Sequence, residues 1–166
     1  MAGLGPKKRL ALDTNLLLAL AEDRDYAHDF RERFQAAGYT LLASPTVFQE
    51  LAYAGLYETE PKRSNARKAI SHAANGGIVP FELSSVEKAI TERFAERLFT
   101  RRLLPAEEFN DALILAETSV AEIPLLVTSD KHLLDMDEDA LLLLFDEADL
   151  SPVRAAHPRR LLRALG

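Results

Sequence analysis

Cysteine is absent from this chain of 166 residues. That excludes a disulfide framework, a thiolate metal site and a cysteine nucleophile. It also fits a reducing compartment, so the expected location is cytoplasmic. No purely apolar run approaches the roughly 20 residues that span a bilayer, so no membrane association is expected. Nor is there an excess of positive charge: 20 Lys and Arg face 26 Asp and Glu, a net charge of −6. Nucleic-acid binders are more often basic, so any such function must rest on where the charges sit. Internal repeats, low-complexity tracts and linkers are missing too. With 48% hydrophobic and 28% charged residues, residues 1–166 read as one globular domain, too short for two.

The N-terminal segment has the outline of a signal peptide. Lys7-Lys8-Arg9 precedes an apolar stretch, and Ala19-Leu20-Ala21 resembles a cleavage site. Asp13 and Asn15 interrupt that stretch near its centre, so it reads instead as a strand followed by a helix.

Strands are expected at Arg9 to Leu12, Thr40 to Ala43, Ile78 to Phe81, Leu125 to Thr128 and, as a last edge strand, Val153 to Ala155. Helices are expected from Asn15 to Ala21 and from Asp25 to Ala37, where Tyr26, Phe30 and Phe34 recur at spacing four. Ser44-Pro45 starts another, ending near Gly55. A basic helix runs from Pro61 to Ala74, a long one from Ser84 or Ser85 to Leu104, and another from Pro105 to about Ala121. A helical turn at Asp130 to Leu134, a helix from Ala140 to Ala148 and a Pro158-started helix complete the chain. Strands alternating with helices predict an α/β three-layer sandwich, a central mostly parallel sheet flanked by helices.

In such folds, sites lie beyond the carboxyl ends of the strands. Asp13 follows the first strand and Asp130 the fourth, so both belong on one rim. Glu50 and Asp111 interrupt apolar helix faces, in Val47-Phe48-Gln49-Glu50-Leu51-Ala52 and Phe109-Asn110-Asp111-Ala112-Leu113-Ile114. A carboxylate between core positions is costly without a partner, and a shared metal ion would be one. Taken singly, Asp13 and Asp130 read as helix caps and Glu50 as a solvated residue, while Asp111 is an even choice. Together they point to one acidic pocket.

The ordered set resembles a PIN-domain nuclease: Leu12-Asp13-Thr14-Asn15, then Glu50, then Asn110-Asp111-Ala112-Leu113-Ile114-Leu115-Ala116, then Val127-Thr128-Ser129-Asp130-Lys131-His132-Leu133, then the closing His157-Pro158-Arg159-Arg160-Leu161-Leu162. The likeness spans nearly the whole chain and is nearest to toxin-type (VapC-like) ribonucleases. It implies four acids, Asp13, Glu50, Asp111 and Asp130, that bind Mg²⁺ or Mn²⁺ and cut RNA. It also implies an antitoxin partner and a homodimer.

Phosphodiester hydrolysis needs an activated water, an in-line approach and charge compensation at phosphate, and a hard cation held by carboxylates provides all three. Thr14, Asn15, Asn110, Thr128 and Ser129 are placed to orient those acids, with local capping the plainer use of Ser129. Lys131 and His132 are weaker candidates for substrate contact. Positive charge for RNA is available at Lys62, Arg63, Arg67 and Lys68, at Arg93, Arg97, Arg101 and Arg102, of which the first three share a face at spacing four, and at Arg159, Arg160 and Arg163. Glu92 and Glu96 make the middle stripe equally readable as a solvated face. Tyr53 and Tyr57 offer stacking surfaces, although packing is the commoner use.

Two other classes remain open. A catalytically silent nucleic-acid or protein binding module would need no metal. A phosphoacceptor signalling domain would carry adjacent acids after the first strand, and Asp13 stands without one.

Overall fold

The computed structural model describes residues 8–166. Lys7 of the basic run therefore lies outside the described residues. Five parallel strands form one sheet in the order β3-β2-β1-β4-β5. They are β1 (Arg9–Leu12), β2 (Thr40–Ala43), β3 (Ile78–Pro80), β4 (Leu125–Val127) and β5 (Arg154–Ala156). Successive residues of a strand face opposite sides of a sheet. Leu10, Ala11 and Leu12 of β1 and Leu41, Leu42 and Ala43 of β2 are all buried, so both faces are covered. This continuous apolar run is the signature of a parallel sheet between helix layers.

The helices among the described residues are α1 (Thr14–Ala21), α2 (Asp25–Ala36), α3 (Pro45–Tyr57), α4 (Lys62–Ala73), α5 (Ser85–Thr100), α6 (Phe109–Val120), α7 (Lys131–Leu134), α8 (Glu138–Glu147) and α9 (Pro158–Leu165). Helix α3 packs on α4 and α6, and α5 packs on α6. In α2 the spacing-four aromatics Phe30 and Phe34 are buried and stack, ring centroids 4.5 Å apart. Phe94 of α5 stacks on Phe145 of α8 at 4.8 Å.

Most boundaries agree with the sequence expectation to within two residues, and the differences at α3, α5 and α6 have local reasons. The long helix ends at Thr100 rather than Leu104. Arg102 adopts φ 58, and the N–H groups of Arg102 and Leu103 turn back to the carbonyls of Phe99 and Leu98, a Schellman closure made without glycine. The helix expected from Pro105 begins as a single 3₁₀ turn, Ala106–Glu108, and becomes α-helical only at Phe109. Helix α3 runs past Gly55 to Tyr57. This glycine is there for close approach, because a Cβ would lie 3.0 Å from Arg67 Cγ while Arg67 Nε donates to the Gly55 carbonyl. Finally, β5 is shifted one residue, to Arg154–Ala156.

The chain steps from β1 outward to β2 and β3, then returns to the other side of β1 as β4. This reversal puts a topological switch point between β1 and β4, where such sheets open a crevice at their carboxyl ends.

Candidate metal centre

Asp13 is the first residue beyond β1. Its N–H donates to the Val127 carbonyl of β4 at 2.9 Å, which anchors it at the switch point. The side chain is 2% exposed. One carboxylate oxygen accepts from the Thr14 N–H at 2.8 Å. The other accepts from Thr128 Oγ1 at 2.6 Å and from Asn15 Nδ2 at 3.1 Å. The capping role is therefore real, and only one of the two oxygens serves it. Burial pushes the carboxyl up to about 6. The Thr128 and Thr14 hydrogen bonds pull it down, and the charges of Glu50 and Asp130 add to the rise.

Asp130 caps α7 by accepting the His132 N–H at 2.8 Å, and its own N–H donates to Thr128 Oγ1 at 3.0 Å. Asn15 ties the β1 and β4 ends together: its Nδ2 donates to Thr128 Oγ1 at 3.3 Å and its Oδ1 accepts the Ser129 N–H at 3.2 Å. Glu50, on the second turn of α3, accepts from Thr14 Oγ1 and from Asn110 Nδ2, the latter at 3.2 Å. Residues of α1 and α6 thus orient one carboxylate of α3.

Asp111 sits in the first turn of α6 and is 9% exposed. Its Oδ2 is buried and has no hydrogen-bond partner. The carboxyl faces those of Asp130 and Glu108, and oxygens of the three lie within 4.8 Å of one another. Burial, then these two neighbours, then the charges of Asp13 and Asp130 hold Asp111 well above the ordinary carboxylate range.

Asp13, Glu50, Asp111 and Asp130 thus lie in one region at the carboxyl end of the sheet. The tightest group, however, is Glu108, Asp111 and Asp130, and Glu108 was not among the residues singled out from sequence. It precedes Asp111 by three positions, a spacing that shares a helix face, but the expected α-helix from Pro105 gave no reason to prefer it to Glu107. In the structure it is Glu108 that meets Asp111 and Asp130. Glu108 also pairs with His132, Oε1 to Nε2 at 3.4 Å. Lys131 and His132 are both exposed.

Much of the basic charge is engaged structurally. Lys68 pairs with Asp23, Arg63 with Glu60, and Arg101 with Glu147, while Arg159 lies over the Tyr26 ring.

Hard divalent cations take oxygen ligands, and this donor set is entirely oxygen. A buried carboxylate oxygen without a donor, among like charges, is a group that a cation would satisfy. The residues fit Mg²⁺ or Mn²⁺.

Thr128→Val is expected to cost about 2–3 kcal/mol, because it strips a charged, buried carboxylate of a hydrogen bond and leaves the Asp130 N–H without its acceptor. Thr128→Ser should retain most of that stability. Urea unfolding at pH 7 measures both, and equal stability of the Val and Ser variants would remove the hydroxyl from this role.

A family model described as the PIN domain matches residues 10–139 of the chain. Among solved structures, VapBC2 from Rickettsia felis, bound to a DNA fragment from their promoter, superposes with a TM-score of 0.61 at 18% identity, covering 90% of this chain and 98% of the other. VapBC-1 from nontypeable Haemophilus influenzae does so with a TM-score of 0.58 at 12% identity, covering 91% and 98%. Sequence comparison with curated proteins finds no match. At these identities the superpositions speak for the fold, and the family rests on the match that runs from Leu10 through Asp139: this chain belongs to the PIN domain family.

Proposed function

We propose that the protein is a metal-dependent endoribonuclease in which Asp13, Glu50, Asp111 and Asp130 hold Mg²⁺ or Mn²⁺. The observation that carries this reading is the Asp111 carboxyl group, buried, partly unpartnered and facing two further acids. Evolution of a stable core would remove such a group, and a cation makes it useful. When bound, the cation lowers the pKa of water and offsets charge on phosphate.

The chain's own residues set the geometry. Thr128, Thr14 and Asn15 hold Asp13 in one orientation, and Thr14 with Asn110 does the same for Glu50. The acids therefore need little reorganisation to take up a cation. Glu108 joins Asp111 and Asp130 as a further oxygen donor on the same side. Lys131 and His132, exposed at the start of α7, are two nearby groups able to meet substrate phosphate.

The likeness to toxin-type members extends the proposal to a small antitoxin partner, a homodimer and a cytoplasmic location. Among the described residues no helix is long and apolar enough to cross a membrane. A silent binding module on the same fold is separated by metal titration. Mn²⁺ added to the metal-free protein should bind and raise the unfolding temperature. A protein indifferent to Mn²⁺ at millimolar concentration would favour the silent module.

A further inference from the structure

Two large aromatic side chains of α3 are not used by the core. Tyr53 is 60% exposed and Tyr57 70% exposed. Their ring centroids are 4.8 Å apart with the planes tilted by 48°. Glu50, Tyr53 and Tyr57 follow one another at spacings of three and four, so they share one face of the helix. At about 1.5 Å per residue the tyrosines lie about 5 and 10 Å along the axis from Glu50.

Tyr53 also lines a cavity of about 360 Å³ whose wall includes Thr14, Glu50 and Asn110, the same residues that form one side of the acidic centre. Leu18, Leu51 and Ala54 give this cavity apolar surface, Gln49 and Glu58 add polar groups at its wall, and Lys62 of α4 contributes its one ammonium, which has no ion pair among the described residues. Apolar and aromatic surface beside one cation and an acidic centre is what an unpaired nucleotide requires: a π-face to stack on, and a positive charge for its phosphate. A second copy of the chain is a poorer occupant, because sealing this cleft would bury Glu50 and Lys62 away from water.

We propose that Tyr53, supported by Tyr57, is a base-stacking platform for single-stranded nucleic acid, with Lys62 facing the adjoining phosphate. This rests on the nuclease reading and specifies it: the substrate presents an unpaired base next to the phosphate at the acids.

The chain has four tyrosines and no tryptophan, so tyrosine emission is an internal probe. Binding of labelled single-stranded RNA of about ten nucleotides can be followed by anisotropy in Ca²⁺, with gels checking that the RNA stays intact. Tyr53→Ala should weaken binding about tenfold, within the range for one lost stacking partner. Tyr53→Phe should bind within about twofold of wild type, because the ring stacks without its hydroxyl. RNA should quench wild-type tyrosine emission, and less so in the Tyr53→Phe, Tyr57→Phe double variant at equal saturation. Lys62→Gln should lower affinity and flatten its salt dependence. Duplex RNA should not distinguish Tyr53→Ala from wild type.

Equal affinity of Tyr53→Ala and wild type, with wild type binding well, overturns the platform and spares the nuclease. No binding by wild type overturns both. A fall in molecular mass for Tyr53→Ala, with unchanged RNA affinity per chain, assigns the tyrosines to self-association and overturns the platform.

Discussion

Asp111→Asn should give a protein that is more stable than wild type without metal and that no longer cuts RNA. The two halves share one cause. Asp111 Oδ2 is buried without a donor, beside the carboxyls of Asp130 and Glu108. In the metal-free fold this is a cost, since like charges out of water repel and retain a proton. Asparagine keeps the shape, stays neutral without having to retain a proton and offers an amide that can donate to the neighbouring carboxylates. A gain of about 1–3 kcal/mol in EDTA is expected, the scale of one buried unsatisfied polar group. The same change removes a ligand from the cation, and cleavage should fall by about 100-fold or more. The Mn²⁺-dependent rise in unfolding temperature should shrink with it. Equal metal-free stability together with wild-type cleavage would make Asp111 a structural residue and no more.

Raising the pH should destabilise the metal-free protein and strengthen the effect of metal. Asp13 is pushed by burial from an ordinary 3.8 to about 6, so the unfolded chain ionises before the folded one. The folded state is therefore favoured below pH 4 and loses that advantage as pH rises through 6. The interval corresponds to about 3 kcal/mol at most for this one group, and the raised Asp111 extends the decline to higher pH. Asp23, Glu60 and Glu147 are shifted the opposite way, each held down by hydrogen-bonded partners, so their influence is confined to acid conditions. A divalent cation binds the ionised acids, and its stabilisation must grow with pH. Urea unfolding in EDTA between pH 5 and pH 8, repeated with Mn²⁺, resolves the two trends. Metal-free stability that holds level or rises across this range would contradict the coupling.

The legible parts of this molecule are those where one local rule decides. The unbroken apolar run of β1, ended by Asp13, identifies a buried parallel strand and places the acid at its carboxyl end. The spacing-four aromatics of α2 and the proline starts of α3 and α9 are of the same kind. The parts that were not legible depend on two rules competing. Gly55 looked like a helix stop, yet it serves the approach of Arg67 from α4, a contact twelve residues away in sequence. Arg102 closes α5 in a conformation usually left to glycine, so no residue marked the end. The same holds at the site. An acid on an apolar helix face needs a partner, and α6 meets that need twice in different ways. Asp111 faces other acids, whereas Glu117, 6% exposed and two turns on, accepts the Thr46 N–H and hydroxyl at the start of α3. Sequence offers no means of telling these two uses apart. Glu108 was hidden for a similar reason, because Glu107 and Glu108 precede Asp111 by four and three residues and either spacing shares a helix face.

Cleavage of RNA by the purified protein, with the ends of the products identified, tests the central claim most directly. Water attacking phosphorus at a cation held by these acids leaves a 5′-phosphate and a 3′-hydroxyl. Attack by the RNA's own 2′-hydroxyl leaves a 2′,3′-cyclic phosphate, and that route is typically served by paired acid–base groups such as two histidines. Of the chain's four histidines, at positions 28, 72, 132 and 157, His132 alone touches the acidic centre, through Glu108. Cutting should cease in EDTA, return with Mn²⁺ or Mg²⁺, and yield fragments that a 5′-phosphate-dependent exonuclease degrades. Cyclic phosphate ends, formed by the pure protein in EDTA, would contradict the account.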